Sequence, residues 1–332
     1  MQVSDSHHVC TQDNGLAFSP ASVAVLIPCY NEAITIGKVV DDFKRELPQA
    51  AIYVYDNNST DNTSAIAKEH GALVVSESRQ GKGNVVRSMF RDIDADYYIM
   101  VDGDDTYPAE SARDLLEPLI NNTADMAVGD RLSNGSYGEE NKRAFHGFGN
   151  NLVRWLIKRI FGYSFNDVMT GYRAFTRAFV KAMPVLTTGF QIETEISIYA
   201  VEHRWRIANV PIAYRDRPEG SESKLSTVSD GAKVIGAITR IFKDCRPMLF
   251  FGLISFILIL LGLLVGIPVI IEWFETGLVP KMPSALLAVA LVFCGAMSLS
   301  TGLVLDTVSR QRLERWEMTV IQELQYEKRS EK

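Results

Sequence analysis

The run Asp96–Asp105, DYYIMVDGDD, decides the fold. Its apolar middle is short and rich in aromatic and branched side chains, so 96–102 reads as a buried strand. The strand stops on three carboxylates, Asp102, Asp104 and Asp105, gathered around Gly103. Working back, VAVLIPCY (23–30), AIYVYD (51–56) and ALVVSE (72–77) repeat the pattern of an apolar run with a polar end. Helix-like stretches separate them: Ala33 to Leu47, one from about Thr60 and one from near Lys82. Strands that are apolar throughout and alternate with helices imply a parallel sheet covered on both faces. Such sheets collect ligands at the carboxyl ends of their strands, here just after Tyr30, Asp56, Glu77 and Val101.

Those ends exclude two chemistries. The turn Pro28-Cys29-Tyr30-Asn31-Glu32 has no glycine, so it is not a dinucleotide fingerprint. Gln80-Gly81-Lys82-Gly83 lacks the P-loop spacing and its closing Lys-Ser/Thr. Carboxylates as close as Asp102 and Asp104 repel one another unless a cation sits among them, and hard oxygen ligands suit Mg²⁺ or Mn²⁺. The alternative for Asp102–Asp105 is a solvated acidic turn, and for Asp56–Ser59 a helix cap by Ser59 or Thr60.

The rest of the 332-residue chain separates by hydropathy. Met248–Ile271 and Met282–Leu305 carry no charge, and at ~1.5 Å per residue each helix reaches about 36 Å, enough to cross a bilayer core. Arg240, Lys243 and Arg246 precede the first run and Arg310, Arg312 and Arg315 follow the second, which predicts cytoplasmic termini. Residues 1–22 form a polar tail without the apolar core of a signal peptide. Residues 226–247 read as an amphipathic juxtamembrane helix lying in the headgroup layer, and 306–332 as a cytoplasmic tail. Four scattered cysteines suggest neither a zinc site nor a disulfide framework. With 40 acidic against 34 basic residues, the net charge of −6 argues against nucleic acid as a partner.

The motifs together resemble one family. VLIPCYNE (25–32), YDNNSTDNT (55–63), QGKGNVVR (80–87) and VDGDDTY (101–107) are similar, in order and spacing, to the signatures of family 2 glycosyltransferases with the GT-A fold. NDVMTGYRAF (166–175), GFQIETE (189–195), VPIAYRDRPEGSESKL (210–225) and the two spans resemble the polyprenyl-phosphate glycosyltransferases. That group includes dolichyl-phosphate mannose synthases and the bacterial enzymes that glucosylate undecaprenyl phosphate. One departure is Asn57, where the family usually has a second aspartate after Asp56.

The resemblance implies an α/β GT-A domain over 23–225 and an inverting, metal-dependent transfer of one sugar from a nucleotide sugar, UDP-linked by preference, to a polyprenyl phosphate. Pro28, Tyr30, Glu32, Asp56, Lys82 and Asp102 are expected at the nucleotide sugar, with Asp104 on the divalent ion and Asp102 beside it. Arg131, Arg143 and Lys224 are expected on the lipid phosphate, since guanidinium groups pair bidentately with phosphate oxygens. Asp167 matches the family's catalytic-base position, although orienting an arginine is an equal reading for a phosphate acceptor. Glu193 and Glu195 are candidates for positioning acceptor or sugar; on a helix they diverge by about 160°, so only one faces the cleft. Arg204-Trp205 lacks the glutamine that precedes this pair in processive synthases, and Trp205 reads as packing. The open alternatives are another glycolipid or polysaccharide acceptor and an inactive membrane scaffold. Relatives often oligomerise, and small residues in the spans permit homo-oligomers.

Overall fold

The computed structural model describes residues 23–133, 162–189, 191–215 and 246–330, with single positions between 154 and 159 and between 217 and 244. The first unit alternates as predicted: β1 (Val23–Cys29), α1 (Ile36–Glu46), β2 (Ala51–Asp56), α2 (Thr63–Glu69), β3 (Leu73–Ser76), α3 (Lys82–Asp92) and β4 (Tyr97–Met100). Then follow α4 (Ala112–Ile120), β5 (Met126–Asp130), β6 (Arg173–Thr176), α5 (Arg177–Ala182), α6 (Ile192–Glu202) and β7 (Ile207–Pro211).

The seven strands form one sheet in the order β3-β2-β1-β4-β6-β5-β7. β1 to β4 are parallel, but β6 enters antiparallel between β4 and β5, so the sheet is mixed and not wholly parallel. Antiparallel pairing lets the connection from β5 leave and re-enter at the same end of the sheet, the end where the acidic turn after β4 lies. Successive strand residues face opposite sides, and each side has its own core. Val25, Ile27, Val54 and Ile99 pack with Val39, Phe43 and Leu115 of α1 and α4. Leu26, Tyr55, Tyr98 and Met100 pack with Val86, Met89, Phe179 and Ile196 of α3, α5 and α6. Pro28 lies past the last β4 partner of β1, where its missing N–H leaves no ladder bond unmade.

Two long helices complete the chain, α7 (Pro247–Thr276) and α8 (Met282–Ser330). Both are long and apolar enough to cross a membrane, and they contain the two uncharged runs. Large apolar side chains such as Phe256, Leu264, Phe293 and Val304 point outward, the reverse of a hairpin buried in a soluble core. The small residues Gly262, Ala288 and Gly295 lie where α7 and α8 cross, so they serve packing within one chain. Helix α8 continues unbroken past Leu305, and Trp316 packs against Tyr199, His203 and Trp205 of the sheet domain.

Candidate active site

The loops after β1 and β2 are stitched together by side chains acting on backbone. Asn31 N donates to Ser59 Oγ at 2.8 Å, Thr60 N donates to Asn31 Oδ1 at 2.7 Å, and Glu32 N donates to Thr63 Oγ1 at 2.9 Å. Asn31 and Asn58 hold positive φ (54° and 63°), a region asparagine tolerates better than most residues. Pro28, half-exposed Tyr30, Glu32 and buried Asp56 therefore share one rim at the carboxyl ends of β1 and β2. Thr35 Oγ1 donates to Gly103 O at 2.6 Å and ties that rim to the acidic strand end.

Asn57 explains its own departure from the family pattern. Its amide nitrogen donates to Glu77 O at 2.9 Å and Arg79 O at 2.8 Å, while Oδ1 accepts from Gly81 N at 2.6 Å. A carboxylate could make only the last of these bonds.

Lys82, at the first turn of α3, is buried between two carboxylates: it pairs with Asp102 and, at 2.6 Å, with Glu193 Oε1. Burial alone lowers an ammonium pKa, but these two charges raise it overall and keep Lys82 a cation. Glu193 reaches Lys82 from α6, whereas Glu195 is turned away. Its carboxylate accepts from Leu186 N and Thr187 N, both at 3.0 Å, and from Thr187 Oγ1 at 2.6 Å. The helix geometry thus takes Glu195 out of the cleft and gives it the 186–187 loop to hold. That loop presses on Gly83, where an added Cβ would lie 2.1 Å from Thr187 O.

Asp104 is buried, and Oδ1 accepts from Thr106 Oγ1 at 2.6 Å while Oδ2 takes Arg217 Nη2 at 2.5 Å. Burial, with the Asp102 charge beside it, raises the Asp104 pKa. Asp105 (φ 58°) points to Lys38, 2.7 Å away. On the other flank Arg131, at the end of β5, meets Asp167 through Nε–Oδ2 (2.6 Å) and Nη2–Oδ1 (3.2 Å). Arg131 Nη1 also donates to Tyr107 OH at 3.3 Å, and the ring centroids of Tyr107 and Tyr214 lie 6.0 and 5.4 Å from the guanidinium carbon. Behind the pair, Asn166 Nδ2 donates to Asp130 Oδ2 at 2.8 Å, joining the neighbours of both residues. Arg173, fully buried, donates to Thr170 O and Val168 O and shapes the 167–173 turn; burial lowers its pKa to about 10.

The structure therefore brings Asp56, Lys82, Asp102, Asp104, Arg131, Asp167 and Glu193 to one end of the sheet. Arg143 and Lys224 lie outside the described residues. Sequence reasoning missed Tyr107, Tyr214 and Arg217. All three stand inside quoted motifs, but nothing in their spacing signals that their partners are Arg131 and Asp104.

Residues 24–183 match the family model described as glycosyl transferase family 2. Glycosyltransferase AglJ of Haloferax volcanii is 34% identical over 92% of this chain and 99% of its own. A dolichyl-phosphate hexose transferase of the same organism is 32% identical over 68% of this chain and 95% of its own. Among solved structures, glucosyl-3-phosphoglycerate synthase from Mycobacterium tuberculosis in complex with UDP superposes with a TM-score of 0.55 at 20% identity, over 68% of this chain and 80% of that one.

Proposed function

The chain belongs to glycosyltransferase family 2, close to the polyprenyl-phosphate sugar transferases, and from that premise we propose that it glycosylates a polyprenyl phosphate. The donor is a nucleotide sugar, UDP-linked in this reading, and the cleft works at the cytoplasmic leaflet. The observation that carries the proposal is one hydroxyl. Tyr107 OH accepts from Arg131 Nη1 and from Gly171 N, and Gly171 underlies the Asp102 carboxylate. Carboxylates suited to a cation-bridged diphosphate and an arginine suited to a phosphate thus share one cleft.

A divalent ion fits the residues present. Two hard carboxylates end a strand, each already neutralised by a side-chain cation, Lys82 or Arg217. No group of three or more His, Cys, Asp or Glu side chains converges among the described residues, so an ion held there would be completed by oxygens from beyond them. Asp104, with Asp102 beside it, would hold Mg²⁺ or Mn²⁺, which would supply Lewis-acid stabilisation of the departing diphosphate.

The chain's own residues do the rest. Pro28, Tyr30, Glu32 and Asp56 hold the nucleoside, and Lys82 fixes Asp102 and Glu193 about the sugar. Arg131, joined by Arg143 and Lys224, receives the acceptor phosphate, whose second pKa of about 6 leaves it largely dianionic at neutral pH. One of its oxygens attacks the anomeric carbon from the face opposite the leaving group. The bond from that carbon to the β-phosphate oxygen breaks, and its electron pair departs with the nucleoside diphosphate. No proton has to move, so Asp167 serves here by orienting Arg131.

The test mixes full-length protein in detergent with Mg²⁺ or Mn²⁺, undecaprenyl phosphate and a panel of labelled nucleotide sugars. Label extractable into organic solvent and released by mild acid is the expected result. Label found only in polymer points to another acceptor, and no transfer from any donor rejects the proposal.

A further inference from the structure

Among the described residues Arg131 meets Asp167, Tyr107 and Tyr214, and of these only Asp167 carries an expected role. The other two are aromatic. Tyr107 follows the acidic strand end by two residues, is buried, and meets Arg131 Nη1 with its hydroxyl. Tyr214, beyond β7, lies against the guanidinium at 5.4 Å and packs edge-on to Tyr107 with centroids 5.7 Å apart. Three donors converge on the Tyr107 hydroxyl oxygen. A phenol oxygen accepts about two bonds and donates one. Arg131 Nη1 at 3.3 Å and Gly171 N at 3.1 Å are the two nearer donors to it, and Thr170 Oγ1 donates from 3.5 Å. Any swing of Arg131 therefore strips a buried hydroxyl of a charged partner and lifts a cation off an aromatic face, both unfavourable away from water.

We propose that Tyr107 and Tyr214 are positioning residues for the acceptor phosphate: hydroxyl and ring faces fix the Arg131 guanidinium before the lipid arrives. The proposal rests on the transferase reading above and adds that acceptor affinity is set by two residues that need not touch the acceptor. Preorganised donors bind an anion without the entropy loss of ordering a long side chain. Tyr214 also links the clamp to Arg217, three residues on, which holds Asp104. The clamp and the acidic strand end therefore share a segment, and the proposal predicts which of the two fails when a tyrosine is changed.

Full-length Tyr107→Phe and Tyr214→Leu are compared with wild type in two assays. The first is binding of undecaprenyl phosphate to protein in nanodiscs, with no donor present. The second is transfer with the active donor, reading KM for lipid and nucleotide sugar separately. Each variant is expected to weaken lipid binding and raise the lipid KM about tenfold, the loss of one hydrogen bond or π contact to a charged group. The nucleotide-sugar KM stays within about twofold for Tyr214→Leu, and Tyr214→Phe, which keeps the ring, retains more lipid affinity than Tyr214→Leu. Because Tyr107→Phe also strips Gly171 N beneath Asp102, Tyr214→Leu decides the case if Tyr107→Phe folds poorly. Unchanged lipid binding in Tyr214→Leu, or equal rises in both KM values, overturns the proposal. If wild type binds the lipid phosphate yet transfers nothing, the transferase reading fails while the binding comparison still decides the clamp.

Discussion

Arg131 and Asp167 form a bidentate pair across the cleft, with both carboxylate oxygens taken by the guanidinium and Asp167 wholly buried. The two lie 36 residues apart in sequence, on the end of β5 and on the turn leading into β6, and those strands are neighbours in the sheet. A carboxylate so engaged is poorly placed to take a proton and well placed to aim an arginine.

Asp167→Asn separates these roles. Removing one partner of a buried pair leaves an uncompensated charge, so the variant loses about 3 kcal/mol of stability and most of its turnover. The informative measurement is the pH–rate profile of the residual activity. In the positioning role, the acid limb stays near the second pKa of the acceptor phosphate, ~6, in wild type and variant alike. An acid limb present in wild type and abolished in Asp167→Asn returns the base role to Asp167.

Asn57→Asp restores the residue the family usually carries and is expected to harm this protein. The new carboxylate cannot donate to Glu77 O and Arg79 O, and its charge faces two carbonyls. Each lost bond to a buried acceptor costs about 1 kcal/mol or more, so thermal unfolding in detergent comes several degrees earlier. Equal stability shows that the loop after β3 rearranges without cost.

Asn57 also marks where the sequence stops being readable. Strand, helix and span positions follow from periodicity and run length, which are local, and β1 to β4 and the two long helices sit where those signals put them. The carboxylate and arginine positions are legible through motif register. What joins them is not: Tyr107 to Arg131, Arg217 to Asp104 and Lys82 to Glu193 are separated by 24, 113 and 111 residues. They meet through the packing of the whole sheet and its helices, in which β6 inserts between β4 and β5, an antiparallel step that the βα alternation does not announce. Glu195 shows the limit in the other direction. Its spacing from Glu193 predicted that one of the two leaves the cleft, but which one depends on where α6 begins.

Glu77 gives a pH dependence of known sign. Hydrogen bonds from Arg79 and Ser88 hold its carboxyl down to about 2, from an ordinary value of 4.5. Between those values the unfolded chain binds more protons, so stability rises with pH across the window, is complete above about 4.5 and is lost as pH falls toward about 2. Glu77→Gln should be less stable than wild type by about 2 kcal/mol at pH 7. The gap should narrow below about pH 4.5. Chemical unfolding at pH 7, 5 and 3.5 checks this, and a gap that does not change with pH contradicts it.

Arg217→Ala probes the cation at Asp104. Arg217 Nη2 sits on Oδ2, so another cation binding that oxygen meets the guanidinium charge beside it. Removing the guanidinium should tighten Mn²⁺ binding, measured by electron paramagnetic resonance titration without donor, by about fivefold, the scale of one partly exposed ion pair. Unchanged Mn²⁺ affinity would mean that the ion avoids Oδ2.

Trp316→Ala tests whether the long helix α8 braces the cleft. Trp316 Nε1 donates to Tyr199 OH at 2.6 Å, and its ring lies 4.1 Å from His203 and 5.6 Å from Trp205; one turn earlier Arg312 pairs with Glu202 at 2.7 Å. Tyr199 and Glu202 stand on α6, the helix that presents Glu193 to Lys82 at its other end. The distance from Leu305 to Trp316 is about 16 Å at ~1.5 Å per residue, so the contact fixes how far the sheet domain stands from the end of the apolar run. Truncating a partly buried tryptophan costs roughly 2–3 kcal/mol of docking and lets the domain pivot on α7. Transfer to undecaprenyl phosphate in liposomes should then fall severalfold while nucleotide binding in detergent is retained, and trypsin should cut sooner at Arg312 and Arg315. Wild-type activity in liposomes together with wild-type proteolysis would show that the contact is packing without consequence for the reaction.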